Sequence, residues 1–262
     1  MILNYILTPI FIIIILIYLN KILKSNNSIK IPKSNKNSNP ILSIYQMLYD
    51  IDYIFKKNKI IYYIDGGTLL GAVRHKGIIP WDDDGDICIF KSDEYKLLNL
   101  KSQLNKLGYN IVKYWGGYKI CLINGKRIQI ENTNWKWNNK VKNNKRNNIK
   151  YTFPFIDISI VEETNNEIIY YNNTVKKIWN KCKHNKNHLF PLKKYRFGLI
   201  FLYGPNDPTN YLNRCYGKEW RLIKKENYDH LNQRFIKKTA LKMNKNDYLP
   251  ALPLGPIITR FY

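Results

Sequence analysis

Residues 60–90 restrict the folds open to this chain more than any other stretch. Ile60-Ile61-Tyr62-Tyr63-Ile64 is β-branched and aromatic and predicts a strand. Asp65-Gly66-Gly67 interrupts it, and Thr68, read as a helix N-cap, leads into a helical turn over Leu69–Arg74. Such a strand–glycine–helix passage either points backbone amides at an anion or is a plain tight turn, and both readings stand. Asp82-Asp83-Asp84-Gly85-Asp86 then sets four carboxylates within five residues, just ahead of the strand Ile87–Phe90. Their repulsion is a cost that a bound cation removes, so the stretch predicts a metal site. Alternate residues of a strand share a face, which lets Asp84 and Asp86 grip one divalent ion together, with Asp82 and Asp83 in support.

Two commoner motifs fail on the residues. A nucleoside-triphosphate loop needs Lys followed by Ser or Thr after its second glycine, and Ala72-Val73 follows Gly71. An EF-hand with Gly85 at its sixth position would need an acid at Pro80 and a glutamate at Lys91. A further acid, Asp157, is embedded in the apolar strand Phe153–Val161. A carboxylate there is expensive unless it faces a cation, so Asp157 is the natural third ligand.

Ile2–Leu19 is almost wholly apolar and about long enough to cross a bilayer. It predicts a transmembrane anchor over 1–20, single-pass, followed by a linker over 21–39 and a catalytic body over 40–262. The lysines that follow the anchor leave open which side of the membrane holds the body. From Ile41 to Phe55 apolar residues recur at helical spacing, predicting a helix that covers a sheet. Asp93–Leu107 and Val175–His188 read as helices, and Tyr118–Ile123 with Arg127–Glu131 as a hairpin around Asn124-Gly125. Tyr195–Tyr203 reads as strand, and Thr209–Tyr216 as a short helix capped by Thr209 and ended by Gly217. Asn132–Lys150 reads as a long basic loop, and the proline-spaced tail Tyr248–Tyr262 suggests no role.

The formal charge of +24 allows an anionic partner. The basic residues are scattered through a chain rich in Asn, Lys and Ile, as in an AT-rich genome such as a large virus's or a protist's, so a nucleic-acid face is not expected. The four cysteines form no CxxC pair and announce neither a disulfide scaffold nor a zinc ribbon. Cys182, His184 and His188 have ligand types at short spacing, but a fourth ligand is missing.

Four blocks together resemble the LicD family: residues 65–75, residues 79–87, Phe155-Ile156-Asp157-Ile158, and Tyr211-Leu-x-Arg-x-Tyr-Gly217. That family includes bacterial phosphocholine transferases and the animal fukutin and fukutin-related proteins. The resemblance implies an α/β nucleotidyltransferase-like fold, a mixed sheet flanked by helices. It implies that Gly66 and Gly67, with Thr68, hold donor phosphates, that Asp84, Asp86 and Asp157 bind Mg²⁺ or Mn²⁺, and that a phospho-alcohol passes from a CDP-alcohol donor to a glycan acceptor with release of CMP. Gly85 stands where the family usually has a hydrophobic residue. Arg74 is placed to meet a donor phosphate, and an aspartate, or else His75, to take the acceptor's proton. Two other activities compete with this reading: a nucleotidyltransferase acting on RNA or another acceptor, and a catalytically silent glycan-binding scaffold.

Overall fold

Helix α1 (Pro40–Lys57) starts where the sequence supplies its signals. The Asn39 side chain accepts from the Ile41 amide at 3.0 Å, Pro40 occupies the first turn, and Lys56 and Lys57 close the last. The structure, a computed structural model, describes residues 39–128 and 150–260. After α1 come β1 (Tyr62–Ile64), α2 (Gly66–Arg74), β2 (Gly85–Phe90), α3 (Glu94–Asn99), α4 (Lys101–Lys106), β3 (Tyr109–Tyr114), β4 (Gly117–Arg127) and β5 (Thr152–Thr164). They are followed by β6 (Glu167–Tyr170), α5 (Asn173–Ile178), β7 (His184–Asn185), α6 (Lys186–Leu189), β8 (Lys193–Phe197), β9 (Ile200–Gly204), α7 (Thr209–Tyr216), β10 (Ile223–Asp229) and β11 (Arg234–Lys242).

The main sheet runs β1-β2-β5-β4-β3, with β6 added to β5 and β7 to β6. Strands β2 and β5 are parallel and the other pairs antiparallel, so the fold is α/β with a mixed sheet flanked by helices. Period-two alternation gives this sheet two faces. Ile87, Ile89, Ile156, Ile158 and Ile160 point to one side and join Ile44, Leu48, Ile51 and Phe55 of α1 in the main core. Burying each such side chain is worth about 2 kcal/mol. The intervening residues face the other way, and the register sets them in a row: Asp86 opposite Asp157, and Asp157 opposite Lys119. The two strand faces therefore divide structure from chemistry.

Several elements differ from the sequence expectation, each for a local reason. Asn124-Gly125 is no hairpin turn; β4 runs straight through it, and the register with β5 shifts between Cys121 and Lys126. A Cβ on Gly125 would sit 2.6 Å from Thr152 Oγ1 and 2.7 Å from the Phe153 carbonyl, so the glycine serves a close strand approach at a bulge. The expected helix 93–107 is split at Leu100 into α3 and α4. The expected helix 175–188 is replaced by α5, β7 and α6. His184 there turns inward to a buried position, while Cys182 forms a disulfide with Cys215 that ties this connection to α7. Residues 195–203 form the hairpin β8–β9, turning at Gly198 with φ +59°. Helix α2 is entered from Asp65 and not from Thr68, and Pro208, not Thr209, occupies the cap position of α7. The tail has a structural part: Ala251 pairs with Ile78 and its carbonyl accepts from Tyr45 Oη, and Gln46 exchanges hydrogen bonds with the backbone of Ile258.

The single-pass membrane localisation expected from the sequence is corrected on one finding. No helix among the described residues is long and apolar enough to cross a membrane. The segment 1–20 from which that expectation came lies outside the described residues, as does the basic loop except for Lys150.

Candidate active site

Asp65 follows β1 and opens α2 in extended backbone, and at the two glycines after it the helix comes close to the sheet. Gly66 has φ +50°, and a Cβ on it would lie 2.7 Å from Asp86 Oδ2; one on Gly67 would lie 2.5 Å from Asp82 Oδ2. Only glycine fits both demands. Side chains already engage this turn: the Gly67 amide donates to Asp86 Oδ2 at 2.9 Å and the Gly66 amide to Tyr211 Oη at 3.2 Å. Thr68 is 3% exposed, and its Oγ1 accepts from the Asp86 amide at 2.7 Å, which stitches α2 to β2. Gly85 is buried at the head of β2, with Ile156 Cδ1 and Leu48 filling the space beside it. The apolar bulk missing at this position is supplied by those two neighbours.

Asp84, Asp86 and Asp157 each offer an oxygen, and the three oxygens lie within 4.8 Å of one another. Burial first, and then the charges of Asp82 and Asp157, push the Asp84 carboxyl well up from its usual range. Burial and then Asp84, Asp82 and Asp157 do the same to Asp86. Asp82 is raised to about 6, by burial and by Asp83, against the opposing pull of His230 and Arg74. An all-oxygen donor set whose members repel one another fits a hard divalent cation.

Two cations that sequence reasoning missed sit against these acids. Lys119 on β4 is buried, 4% exposed, and its ammonium pairs with Asp157. It lies 3.5 Å from the Phe155 ring centroid and 4.4 Å from that of Tyr114. The signal was available: a lone lysine inside the apolar run Tyr118–Leu122 has the same oddity that singled out Asp157. His230, in the connection between β10 and β11, bonds Asp83 Oδ1 through Nδ1 at 2.5 Å and Asp84 Oδ2 through Nε2 at 3.1 Å. Burial disfavours its charged form, but Asp83 outweighs that and its pKa is raised. Nothing local in the sequence marks it.

A second buried network lies behind the glycine turn. Asp65 accepts from Tyr170 Oη at 2.7 Å and contacts His184 Nε2 at 3.0 Å and Cys88 Sγ at 3.4 Å. The His184 ring stacks on Tyr211, centroids 4.1 Å apart. Burial would raise the Asp65 pKa, and the hydrogen bonds from His184, Tyr170 and Tyr211 bring it below the usual value instead. His184 is thus drawn away from Cys182 and His188, and these three do not converge as zinc ligands. Of the other expected residues, Arg74 directs Nη1 to the carbonyls of Trp220 at 2.5 Å and Ile223 at 3.1 Å. His75 is buried, 2% exposed, with Nε2 on the Asp247 carbonyl at 3.0 Å; burial and then Arg74 lower its pKa to about 4.

Comparison with known proteins decides the family. The profile described as LicD/FKTN/FKRP, nucleotidyltransferase domain, matches residues 59–207, more than half of the 262-residue chain. The chain belongs to the LicD/FKTN/FKRP family. It is 38% identical over 221 residues to an uncharacterized protein of Rickettsia prowazekii (strain Madrid E), covering 82% of this chain and 71% of that one. It is 39% identical over 64 residues to the lipopolysaccharide cholinephosphotransferase LicD of Haemophilus influenzae, 23% of this chain and 24% of that one. Over 32 residues it is 56% identical to the ribitol 5-phosphate transferase FKRP of Homo sapiens, 12% of this chain and 6% of that one. The LicD/FKTN/FKRP match contains the glycine turn, the Asp84–Asp86–Asp157 triad, Lys119 and His184. Tyr211 and His230 lie beyond it and complete the site from α7 and the β10–β11 connection.

Proposed function

We propose that this chain transfers a phospho-alcohol, such as phosphocholine or ribitol phosphate, from a CDP-alcohol to a glycan hydroxyl and releases CMP, with residues 40–262 as the catalytic body. The observation that carries the reading is the convergence of Asp84, Asp86 and Asp157 against the Gly66-Gly67 turn. Two relatives, a cholinephosphotransferase and a ribitol 5-phosphate transferase, supply the reaction class.

In this reading Asp84, Asp86 and Asp157 hold Mg²⁺ or Mn²⁺. A bound divalent ion would neutralise charge on the donor phosphates, the main demand of phosphoryl transfer. The chain's own groups do the rest. The absence of side chains at Gly66 and Gly67 lets the Asp86 and Asp82 carboxylates close against the start of α2, where Thr68 fixes the turn against β2, and in this reading donor phosphates bind beside that turn. Lys119 orients the Asp157 carboxylate and holds positive charge beside it. Arg74 anchors α2 to the backbone of 220 and 223 and sends the same positive charge toward Asp82. Asp82 lies against Gly67 outside the triad, where its carboxylate is placed to accept the acceptor hydroxyl's proton. Asp83 is committed to His230 and serves as support.

The test is a screen of CDP-choline, CDP-ribitol and related CDP-alcohols for CMP release with Mg²⁺ or Mn²⁺ and a glycan. Wild type should turn over, and Asp84→Asn with Asp86→Asn should lose the metal-dependent release while keeping the wild-type circular dichroism spectrum. Undiminished turnover in the double variant would overturn the reading. An RNA-plus-nucleoside-triphosphate arm should show no incorporation.

A further inference from the structure

Two cross-links tie the connection entering β7 to helix α7. One is a ring pair: His184 stacks on Tyr211 with planes only 4° apart. The other is the disulfide between Cys182, two residues before His184, and Cys215, four residues after Tyr211. Residues four apart on a helix share a face, so one face of α7 carries both links. Arg214 adds a polar tie between the same two segments, with Nε on the Lys181 carbonyl at 3.2 Å and Nη2 on that of Lys183.

The ring pair is the inner link. Both rings are buried and both reach the start of α2: Tyr211 Oη accepts from the Gly66 amide, and His184 Nε2 contacts Asp65 Oδ1. The disulfide is the outer link, its cysteines half-buried at the margin of the main core. Cys88 and Cys121 are buried free thiols, so among the four cysteines this pair is the one a reductant in solution meets. Helix α7 has eight residues, too few to hold its place without tertiary anchors. Leu212, fully buried, and the bond from Trp220 Nε1 to Asn213 Oδ1 at 2.9 Å keep it on the core when the disulfide opens. What the disulfide adds is the position of the face that carries Tyr211, and Tyr211 in turn holds Gly66 at its φ of +50°.

We infer that Cys182 and Cys215 are a redox-dependent positioning pair: oxidised, they hold Tyr211 and His184 against the Gly66-Gly67 turn, and reduction loosens that turn while the sheet stays folded. The step balances with a dithiol as reductant, which supplies two electrons and two protons; the S–S bond breaks to two thiols and the dithiol leaves as its own disulfide. Hydrogen exchange read by mass spectrometry tests this on the full-length protein, oxidised, reduced with dithiothreitol, and reoxidised, with thiol labelling to count the cysteines opened. Reduction should speed exchange roughly tenfold in the fragments covering β1–α2 and α7, leave β4 and β5 at their oxidised rate, and reverse on reoxidation. Cys182→Ser should match the reduced wild type and no longer respond to dithiothreitol. Circular dichroism identifies a variant that fails to fold, in which case wild type with and without dithiothreitol carries the comparison. A bond that dithiothreitol does not open, unchanged exchange at β1–α2 after full reduction, or a rise of equal size through β4 and β5 overturns the inference, the last by making the disulfide a general cross-link. Exchange reads the turn without turnover, so a wild type that releases no CMP counts against the proposed transfer reaction alone.

Discussion

Replacing Asp86 by Asn separates a metal site from a merely acidic surface, because the two predict opposite effects on stability. The Asp86 carboxylate has oxygens of Asp84 and Asp157 within 4.8 Å and, among the described residues, no cationic partner of its own and one protein donor, the Gly67 amide, which an Asn oxygen still satisfies. Two unit charges at that separation repel by about 3 kcal/mol at an effective dielectric near 20. Partial protonation of a group raised this far removes a good share of that, so the substitution should stabilise the metal-free protein by about 2 kcal/mol. For a chain of this size that is a rise of about 4–8 °C in Tm. Wild type should in turn gain about 3 kcal/mol when Mn²⁺ reaches about a hundred times its Kd, and the variant should gain far less. Thermal unfolding in excess EDTA and in excess Mn²⁺, for both proteins, gives all four numbers. A variant less stable than wild type in EDTA, with its Mn²⁺ shift intact, would refute the argument that these oxygens form one cation site.

Four further outcomes follow from other parts of the site. Gly66→Ala combines a φ of +50° with a Cβ 2.7 Å from Asp86 Oδ2, so it should cost about 1–3 kcal/mol in denaturant titrations and sharply reduce metal-dependent turnover. Lys119→Met leaves Asp157 without its cation and should destabilise the EDTA-treated protein by about 3 kcal/mol, with part of the loss recovered in Mn²⁺; an equal loss in both conditions would argue against a shared electrostatic role. Tyr211→Phe removes the hydroxyl that accepts from the Gly66 amide, for a loss of about 1–2 kcal/mol in the same titrations. His75 has its folded pKa lowered to about 4 from 6.5, so the unfolded chain binds its proton first and stability falls as pH drops through 6.5 toward 4. The loss from this group should reach about 2 kcal/mol at pH 5, and His75→Gln should remove that share of the acid sensitivity in a pH series of melts.

How far the site could be read in advance depended on how far apart its parts lie in sequence. The strand–glycine–helix passage and the acids after it are local, and the period-two rule already puts Asp84 and Asp86 on one side. Asp157 was legible because a carboxylate inside an apolar strand is anomalous wherever that strand goes. Lys119 carried the same anomaly, but in a run read as one arm of a hairpin turning at Asn124-Gly125; with the glycine serving a bulge, β4 instead lies beside β5 and delivers the lysine to Asp157. Asp65 meets His184 across 119 residues of chain and Gly66 meets Tyr211 across 145, and no periodicity encodes meetings of that kind.

The charge arithmetic of the finished site explains why these long-range partners exist. Asp84, Asp86 and Asp157 carry three negative charges when ionised; Lys119 removes one, leaving two for a divalent ion. Asp83 is balanced separately by His230, and Asp65 by hydrogen bonds from His184, Tyr170 and Tyr211. Asp82 alone among the six stands outside the triad without a committed hydrogen-bonded cation, and burial and Asp83 raise its carboxyl to about 6, as burial and neighbouring carboxylates raise Asp84 and Asp86. On the proposed function, distant residues would sort a crowded run of identical side chains into ligands, supports and a single carboxylate left to take a proton. If that sorting is right, Asp82→Asn should lower kcat while leaving the Mn²⁺ stabilisation intact, and a loss of Mn²⁺ stabilisation in that variant would move Asp82 into the ligand set.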